Sequence, residues 1–373
     1  MIRFDRRLFA HFDWWLLIML LLICGMALFN LYSASYSVKP WGTPPYMKQL
    51  YFYLMGFCFI LIILCVDYQE LHFWNYFFYI FVVGLLIAIL IIGKTVGGAQ
   101  RWINFGFFNL QPSELAKLML VITLASYYSR KEVTDGYTIR QLVAPIGLTA
   151  VPFALILLQP DLGTALMLGF IFVSMTVYVK LRFSVYAILG SLGAAMVFFA
   201  WGKLLKPYQK QRIQTFLNPE HDPMGHGYQI MQSKIAVGSG GKFGKGYLEG
   251  TQGHLHFLPE RHTDFAFAVW GEEWGFFGSL IFISIYFLML LWGLYSSVFA
   301  CDRFGMLLSF GVVMLIFWQA VINLLMILGF LPVVGIPLPL VSYGGSSLLT
   351  TLMAFGILLN VRMRRFQVGQ NVE

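Results

Sequence analysis

Apolar residues in this chain come in long blocks rather than at alternating positions, and each block is closed by a short polar stretch. A bilayer core about 30 Å thick needs roughly 20 apolar residues of helix. That ruler predicts ten spans, at about 14–34, 49–66, 74–92, 112–128, 140–158, 162–179, 184–203, 264–299, 305–328 and 344–361. The eighth is long enough to extend beyond a membrane. Only residues 204–263 break the pattern, as a polar loop between the seventh and eighth spans. No period of 20 to 50 residues recurs, which excludes a solenoid, and no inverted repeat of the transporter kind stands out. The pattern predicts an all-α polytopic membrane protein, one integral domain over residues 1–373.

Composition agrees. The chain is 59% hydrophobic and 11% charged, where a soluble domain carries about 25% charged residues, and its mean hydropathy is +0.74. A water-soluble enzyme is excluded. The net charge of +8 does not point to nucleic acid, because the basic residues stand singly or in threes at the ends of apolar runs. Basic residues near spans favour the cytoplasm. Arg3, Arg6, Arg7, Arg362, Arg364 and Arg365 therefore place both termini there, and Arg130, Lys131, Arg140, Lys180, Arg182 and Arg303 agree. Lys39, Lys48, Lys94 and Arg101 fall on the outer side. Ser33-Ala34-Ser35 resembles a signal-peptidase site, but the preceding run is longer than a typical leader core, so an uncleaved first span is expected. Cys24, Cys58, Cys65 and Cys301 have neither disulfide nor zinc spacing.

The polar loop then lies outside and holds five of the seven histidines, His221, His226, His254, His256 and His262. Its glycine-rich part, Gly238 to Gly250, fails as a phosphate loop, since neither Lys242 nor Lys245 is followed by Ser or Thr. Charges at the edges of spans are expensive and want a reason. Glu114 and Lys117 stand at i and i+3, one helix face, and suit either a neutralising pair or a substrate contact. Asp161 begins a span in the manner of a cap. Glu272 and Glu273 are read as structural. The densest cluster is Glu260, Arg261, His262, Thr263 and Asp264. If the helix starts near Pro259, Glu260 and Asp264 share a face with Asp264 the deeper, a candidate general base.

The fourth, sixth, eighth and tenth spans all start on the outer face, each from a motif-like segment. Helix amino termini favour anions, so their convergence predicts an outer vestibule for a group such as a diphosphate, with Arg101, Lys117, Arg212 and Lys234 adding charge. Nucleotide sugars and ATP are absent outside the cytoplasm, and a lipid-linked diphosphate is a donor that carries its own activation. The uncharged stretch Phe330 to Val341 suits a lipid groove.

Gly97-Gly98-Ala99-Gln100-Arg101-Trp102, Gln111-Pro112-Ser113-Glu114, Gln159-Pro160-Asp161-Leu162-Gly163-Thr164, Pro259 to Phe265 and Pro339 to Gly345 together resemble the SEDS family of shape, elongation, division and sporulation proteins, over nearly the whole chain. The run Phe257 to Phe265 and the Asp161-Leu162-Gly163 form resemble its elongation members most. The resemblance implies a ten-span peptidoglycan glycosyltransferase that polymerises lipid II on the outer face of the bacterial inner membrane, releasing undecaprenyl diphosphate. It implies a class B penicillin-binding transpeptidase and other elongation-complex membrane proteins as partners. Asp264 matches the family's essential aspartate, whereas Phe265-Ala266-Phe267 and Trp270 depart from its more usual aliphatic residues. Arg101, Glu114, Lys117, Asp161, Arg212, Lys234, Glu260, Arg261 and His262 are the expected substrate-binding residues. No cofactor is expected beyond a divalent cation, Mg2+ or Mn2+, at the diphosphate. A lipid II flippase and a noncatalytic scaffold for wall synthesis are the competing readings.

Overall fold

The computed structural model describes residues 11–36, 43–96, 99–104, 109–131, 133, 135–199, 202, 207–219, 222, 225–254, 257–258 and 260–366. Arg3, Arg6, Arg7, Lys39, Gly97, Gly98, Lys203, His221, His256 and Pro259 lie outside the described residues.

Ten long helices follow the ten predicted runs: α1 (Trp14–Ser35), α2 (Pro45–Cys65), α3 (Tyr68–Ile92), α4 (Pro112–Ser129), α5 (Ile139–Leu158), α6 (Leu162–Tyr178), α7 (Phe183–Phe199), α11 (Ala266–Val298), α12 (Arg303–Ile327) and α13 (Gly345–Met363). The intervening polar loop folds as α8 (Pro207–Leu217), α9 (His226–Ser239) and α10 (Thr251–His254). Seven of the long helices are long and apolar enough to cross a membrane by themselves, and α6 is a shorter apolar helix. Large side chains such as Trp15, Phe73 and Ile91 are exposed on the bundle's outside, as expected where the surroundings are lipid rather than water. The last helix, α13, is the inner pillar. Almost all of it is buried, against α2, α4 and α12 among others. Between α3 and α4 lies a small antiparallel sheet of β1 (Lys94–Val96), β2 (Ala99–Asn104) and β3 (Asn109–Leu110), in that order. The apolar ruler did not signal it. The third helix begins six residues before its predicted start because Asp67 caps it, its carboxylate accepting from the Gln69 amide at 3.0 Å.

One span differs in kind from the expectation. The run Ala266–Val298 is broken at Gly275, whose φ of 63° and ψ of −159° belong to a region open only to glycine. The rings of Phe267 and Phe282 lie 5.5 Å apart, whereas an unbroken helix would separate them by roughly 22 Å. The Trp270 indole donates to the Gly278 carbonyl at 3.2 Å. The run is thus a helical hairpin. Neighbouring α1 confirms the direction: Asp13 at its start accepts from Trp292 at 2.7 Å, Asn30 donates to the Ala266 carbonyl at 2.8 Å, and Ser33 near its end donates to the Glu273 side chain. Residues 266–274 therefore form a short arm running back toward the end of α1, and the eighth span proper is 276–298. The expected shared helical face of Glu260 and Asp264 is absent. Glu260 is left-handed, with φ 54°, and residues 260–265 form turns ahead of the helix.

A broken helix leaves carbonyls and amides without partners, and the glycine-rich loop supplies them. Lys245 and Gly246 donate from their amides to the carbonyls of Glu272 and Glu273 at 3.0 and 3.1 Å, while Phe276 and Phe277 donate to those of Gly241 and Lys242 at 2.9 and 3.1 Å. The buried Glu272 carboxylate fastens the same loop, accepting from Lys245 Nζ at 2.6 Å and from the amides of Thr251 and Gln252 at 2.8 and 3.1 Å. The structural reading of Glu272 and Glu273 agrees with these contacts.

At Gly275 a Cβ atom would stand 2.2 Å from the Gly244 amide nitrogen. Gly275→Ala is expected to cost about 1–3 kcal/mol in backbone strain alone and to lower the melting temperature in detergent. Gly238→Ala, where a Cβ meets nothing within 4 Å, serves as the control and should leave the melting temperature unchanged or raise it.

Candidate active site

Four helix amino termini meet at one cavity of about 170 Å³. Gln111, Glu114 and Lys117 come from the start of α4, Thr164 and Met167 from α6, Thr263 and Asp264 from the turns before α11, and Gly344 and Ser347 from α13. Trp102 of β2, the Gly335–Pro337 stretch and Tyr343 complete the wall. The short arm of α11 runs opposite to the direction expected for the eighth span, yet its amino terminus still faces the cavity. Partial positive charge from several helix ends at one point favours an anion.

Glu114 and Lys117 form a buried ion pair, Nζ to Oε1 at 2.8 Å. Asp161 caps α6: its carboxylate accepts from the Thr164 amide at 3.2 Å and hydroxyl at 2.9 Å, and from the Gln111 amide side chain at 3.4 Å. Arg101 lies behind it, donating to the carbonyls of Gln159 at 3.1 Å and of Pro160, with its guanidinium 3.9 Å from Asp161. These two back the wall through Gln111 and Thr164 rather than lining it.

Asp264 is half-buried and lines the cavity. Burial pushes its carboxyl up to about 6; Glu260 adds to the rise and Arg212 opposes it, so Arg212 from α8 acts on the carboxylate electrostatically. Glu260 is exposed, its carboxylate accepting from the Thr263 hydroxyl at 2.8 Å. Arg261 is buried beside it, and the His262 carbonyl accepts from the Tyr343 amide at 2.8 Å. Lys234 departs from the expected vestibule. It is exposed on α9, its aliphatic end occupying the space over Gly329 where a Cβ would stand 1.8 Å from Cε. Among the described residues no three carboxylate, imidazole or thiolate groups gather as a metal site.

Gln111, Trp102, Thr164, Tyr343 and Gly344 belong to the motifs without a role assigned from sequence, and Met167 and Ser347 are wall residues that no motif signals. Gly335 was missed as well. Its φ of 74° brings the backbone against Asp264, so that a Cβ there would stand 3.6 Å from Oδ2. A glycine inside an uncharged, proline-rich stretch was the available signal.

The chain matches the FtsW, RodA and SpoVE family of cell cycle proteins over residues 13–367. It is 39% identical over 299 residues to the peptidoglycan glycosyltransferase MrdB of Escherichia coli K12, covering 80% of each chain. It superposes with a TM-score of 0.81 and 32% identity on a chain of a peptidoglycan synthase complex that coordinates polymerisation and crosslinking, covering 95% of this chain and 99% of that one. On the rod-shape-determining protein RodA of Thermus thermophilus the TM-score is 0.71 at 28% identity, covering 95% and 98%. The chain belongs to the FtsW/RodA/SpoVE family, the SEDS proteins, and is a multi-pass membrane peptidoglycan glycosyltransferase.

Removing one partner of a buried ion pair leaves an uncompensated charge, at a cost of about 3–5 kcal/mol. Glu114→Gln and Lys117→Met are each expected to lower the melting temperature and the activity. The double variant Glu114→Lys with Lys117→Glu should regain the melting temperature. If the pair is purely structural the double variant also regains polymerisation; if Lys117 touches substrate, it does not.

Proposed function

We propose that this cavity is where lipid II is polymerised, with Asp264 as the general base. The observation that carries the reading is a carboxylate lying in a cavity rimmed by four helix amino termini. The C4 hydroxyl of the acceptor N-acetylglucosamine attacks the anomeric carbon of a lipid-linked N-acetylmuramic acid from the face opposite the diphosphate. Asp264 takes the hydroxyl proton as the new C–O bond forms, and passes it to water afterwards. The anomeric carbon–oxygen bond to the diphosphate breaks with inversion, and undecaprenyl diphosphate departs with the bonding electrons.

A sugar hydroxyl is a poor nucleophile until its proton is removed, and a base works best with a pKa near the working pH. An Asp264 carboxyl pushed up to about 6 is ionised at neutral pH and more basic than an ordinary aspartate. Developing negative charge on the diphosphate is met by the helix ends and by Lys117, in surroundings where fixed dipoles act strongly. Arg212, Arg261 and His262 approach the substrate from the loop side, while Arg101 and Asp161 hold the α6 terminus in place. A divalent cation, Mg2+ or Mn2+, would come with the diphosphate and offset its charge, since among the described residues no three carboxylate, imidazole or thiolate groups gather to hold one. The cavity is smaller than the roughly 300–1,000 Å³ of pockets that enclose a drug-sized ligand, so it receives the reacting centre while sugars and lipid extend beyond it.

In this reading the cavity opens on the outer face of the bacterial inner membrane, with both chain ends cytoplasmic. The similarity to MrdB and RodA supports a part in elongation. The similarity to a chain of a polymerising and crosslinking complex supports a class B penicillin-binding transpeptidase as partner, alongside other membrane proteins of the elongation complex.

Purified protein given lipid II should make glycan polymer. Asp264→Asn, correctly inserted, should lose about 100- to 10,000-fold of that rate; polymerisation at the wild-type rate would remove the base from this residue. Because the base acts ionised, kcat/KM should fall as pH drops through about 6 and be level above it, a limb absent from the residual activity of Asp264→Asn. Orientation has its own measurement. Lys242→Cys, exposed on the glycine-rich loop in a background without the four native cysteines, should react with an impermeant thiol reagent in intact spheroplasts. Labelling only after lysis would place the cavity on the cytoplasmic face.

A further inference from the structure

Asn323 stands on α12 one turn before its end and is fully buried. Its side-chain nitrogen donates to two backbone carbonyls at once, that of Asp264 at 2.9 Å and that of Ile336 at 2.8 Å. Asp264 and Ile336 both line the cavity, and they belong to two segments, residues 260–265 and 331–343, that contain no regular helix or strand. The amide orientation follows from its neighbours, because turning it over would set Oδ1 against two carbonyl oxygens. Two acceptors facing one group require two hydrogens on that group, which a primary amide has and an aspartate or leucine of similar size has not.

The same side chain leaves Oδ1 buried without a hydrogen-bond partner. A residue present only to fill this space would avoid that burden. The donors are thus what the position uses. Nearby, the Gly335 backbone borders the carboxylate, a Cβ there standing 3.6 Å from Oδ2, and the Tyr343 amide donates to the His262 carbonyl. That second bond ties the catalytic turn to the same wall two residues earlier. Neither of these fixes the backbone of residue 264 itself.

We propose that Asn323 is a positioning residue for the reaction: by bridging the carbonyls of Asp264 and Ile336 it sets the distance between the general base and the cavity wall across from it. This rests on Asp264 being the base. Misplacement of a catalytic group by about 1 Å can cost on the order of 100-fold in rate.

The test uses full-length protein in detergent or nanodiscs with lipid II, comparing Asn323→Leu, Asn323→Asp and Asn323→Gln. Asn323→Leu keeps the volume without donors, and Asn323→Asp keeps the shape without the donor pair. Both should lower kcat about 10- to 100-fold, leave KM unchanged, and displace the acid limb of the pH profile. Asn323→Gln, which keeps the amide hydrogens on a longer arm, should recover part of kcat. Hydrogen–deuterium exchange over residues 260–265 should quicken in the Leu and Asp variants and less in Gln. Wild-type kcat and pH limb in the Leu and Asp variants would overturn the proposal. So would a loss of kcat with unchanged exchange in that segment. If Asn323→Leu fails to insert, equal behaviour of Asp and Gln overturns it, and a deficit in Asp alone supports it. An active Asp264→Asn would sink the general-base reading and the catalytic proposal with it, even where exchange still reports the bridge; inactive Asp264→Asn beside fully active Asn323 variants would sink only the latter.

Discussion

Backbone amides and carbonyls placed in a membrane interior must be paired inside the protein, since no water is there to pair them. Helices meet this requirement automatically; a catalytic site cannot, because it needs backbone that bends. In this chain the stretch from Leu331 to Tyr343 is irregular yet largely buried, and polar side chains from three helices take up its carbonyls. Asn323 of α12 serves Ile336, Tyr286 of α11 serves Pro339, and Tyr53 and Gln49 of α2 serve Leu340 and Ser342. Leu340 is held left-handed, with φ 68°, which a non-glycine residue tolerates only when its surroundings dictate it. Shape at the cavity thus depends on polar groups buried far from it in sequence.

The same constraint explains the hairpin of α11. Breaking a helix at Gly275 exposes backbone groups, and the loop from Gly241 to Gly246 restores the hydrogen bonds with its own backbone. Glycines are required there by closeness: at Gly244, itself at φ 84°, a Cβ would lie 2.0 Å from the Glu273 carbonyl oxygen. The short arm this creates carries Asp264 just ahead of its positive end, while the glycine backbone fastened by Glu272 and Lys245 closes the hinge at its other end.

Most of the fold was legible because the apolar blocks are a direct record of the solvent they meet. Ten helices were placed within a few residues, apart from the early start of α3. The hairpin was hidden for the same reason, since Ala266 to Val298 is apolar on average and hydropathy does not record direction; Glu272 and Glu273 next to Trp274-Gly275 are the local hint at a reversal. The convergence of helix starts at Glu114, Thr164 and Ser347 was readable from topology, whereas Asp264 joins them through an arm that runs opposite to the expected direction. Lys234 was not separable from Arg212 by sequence, because both are cations in one polar loop. Position along the loop carries no information about which of them the tertiary fold turns toward Asp264.

The bridge at Asn323 and the wall at Gly335 to Ser347 also bear on how the enzyme comes into being. Asp264 is made before α12, and α12 before the buried pillar α13 that closes the cavity. During synthesis the Asp264 carboxylate therefore waits without its bridge, its opposing wall or the last of its four helix ends. The cavity closes only once α13 has been made, so a ribosome that stalls short of Gly344 leaves a chain with every earlier motif present and this wall missing.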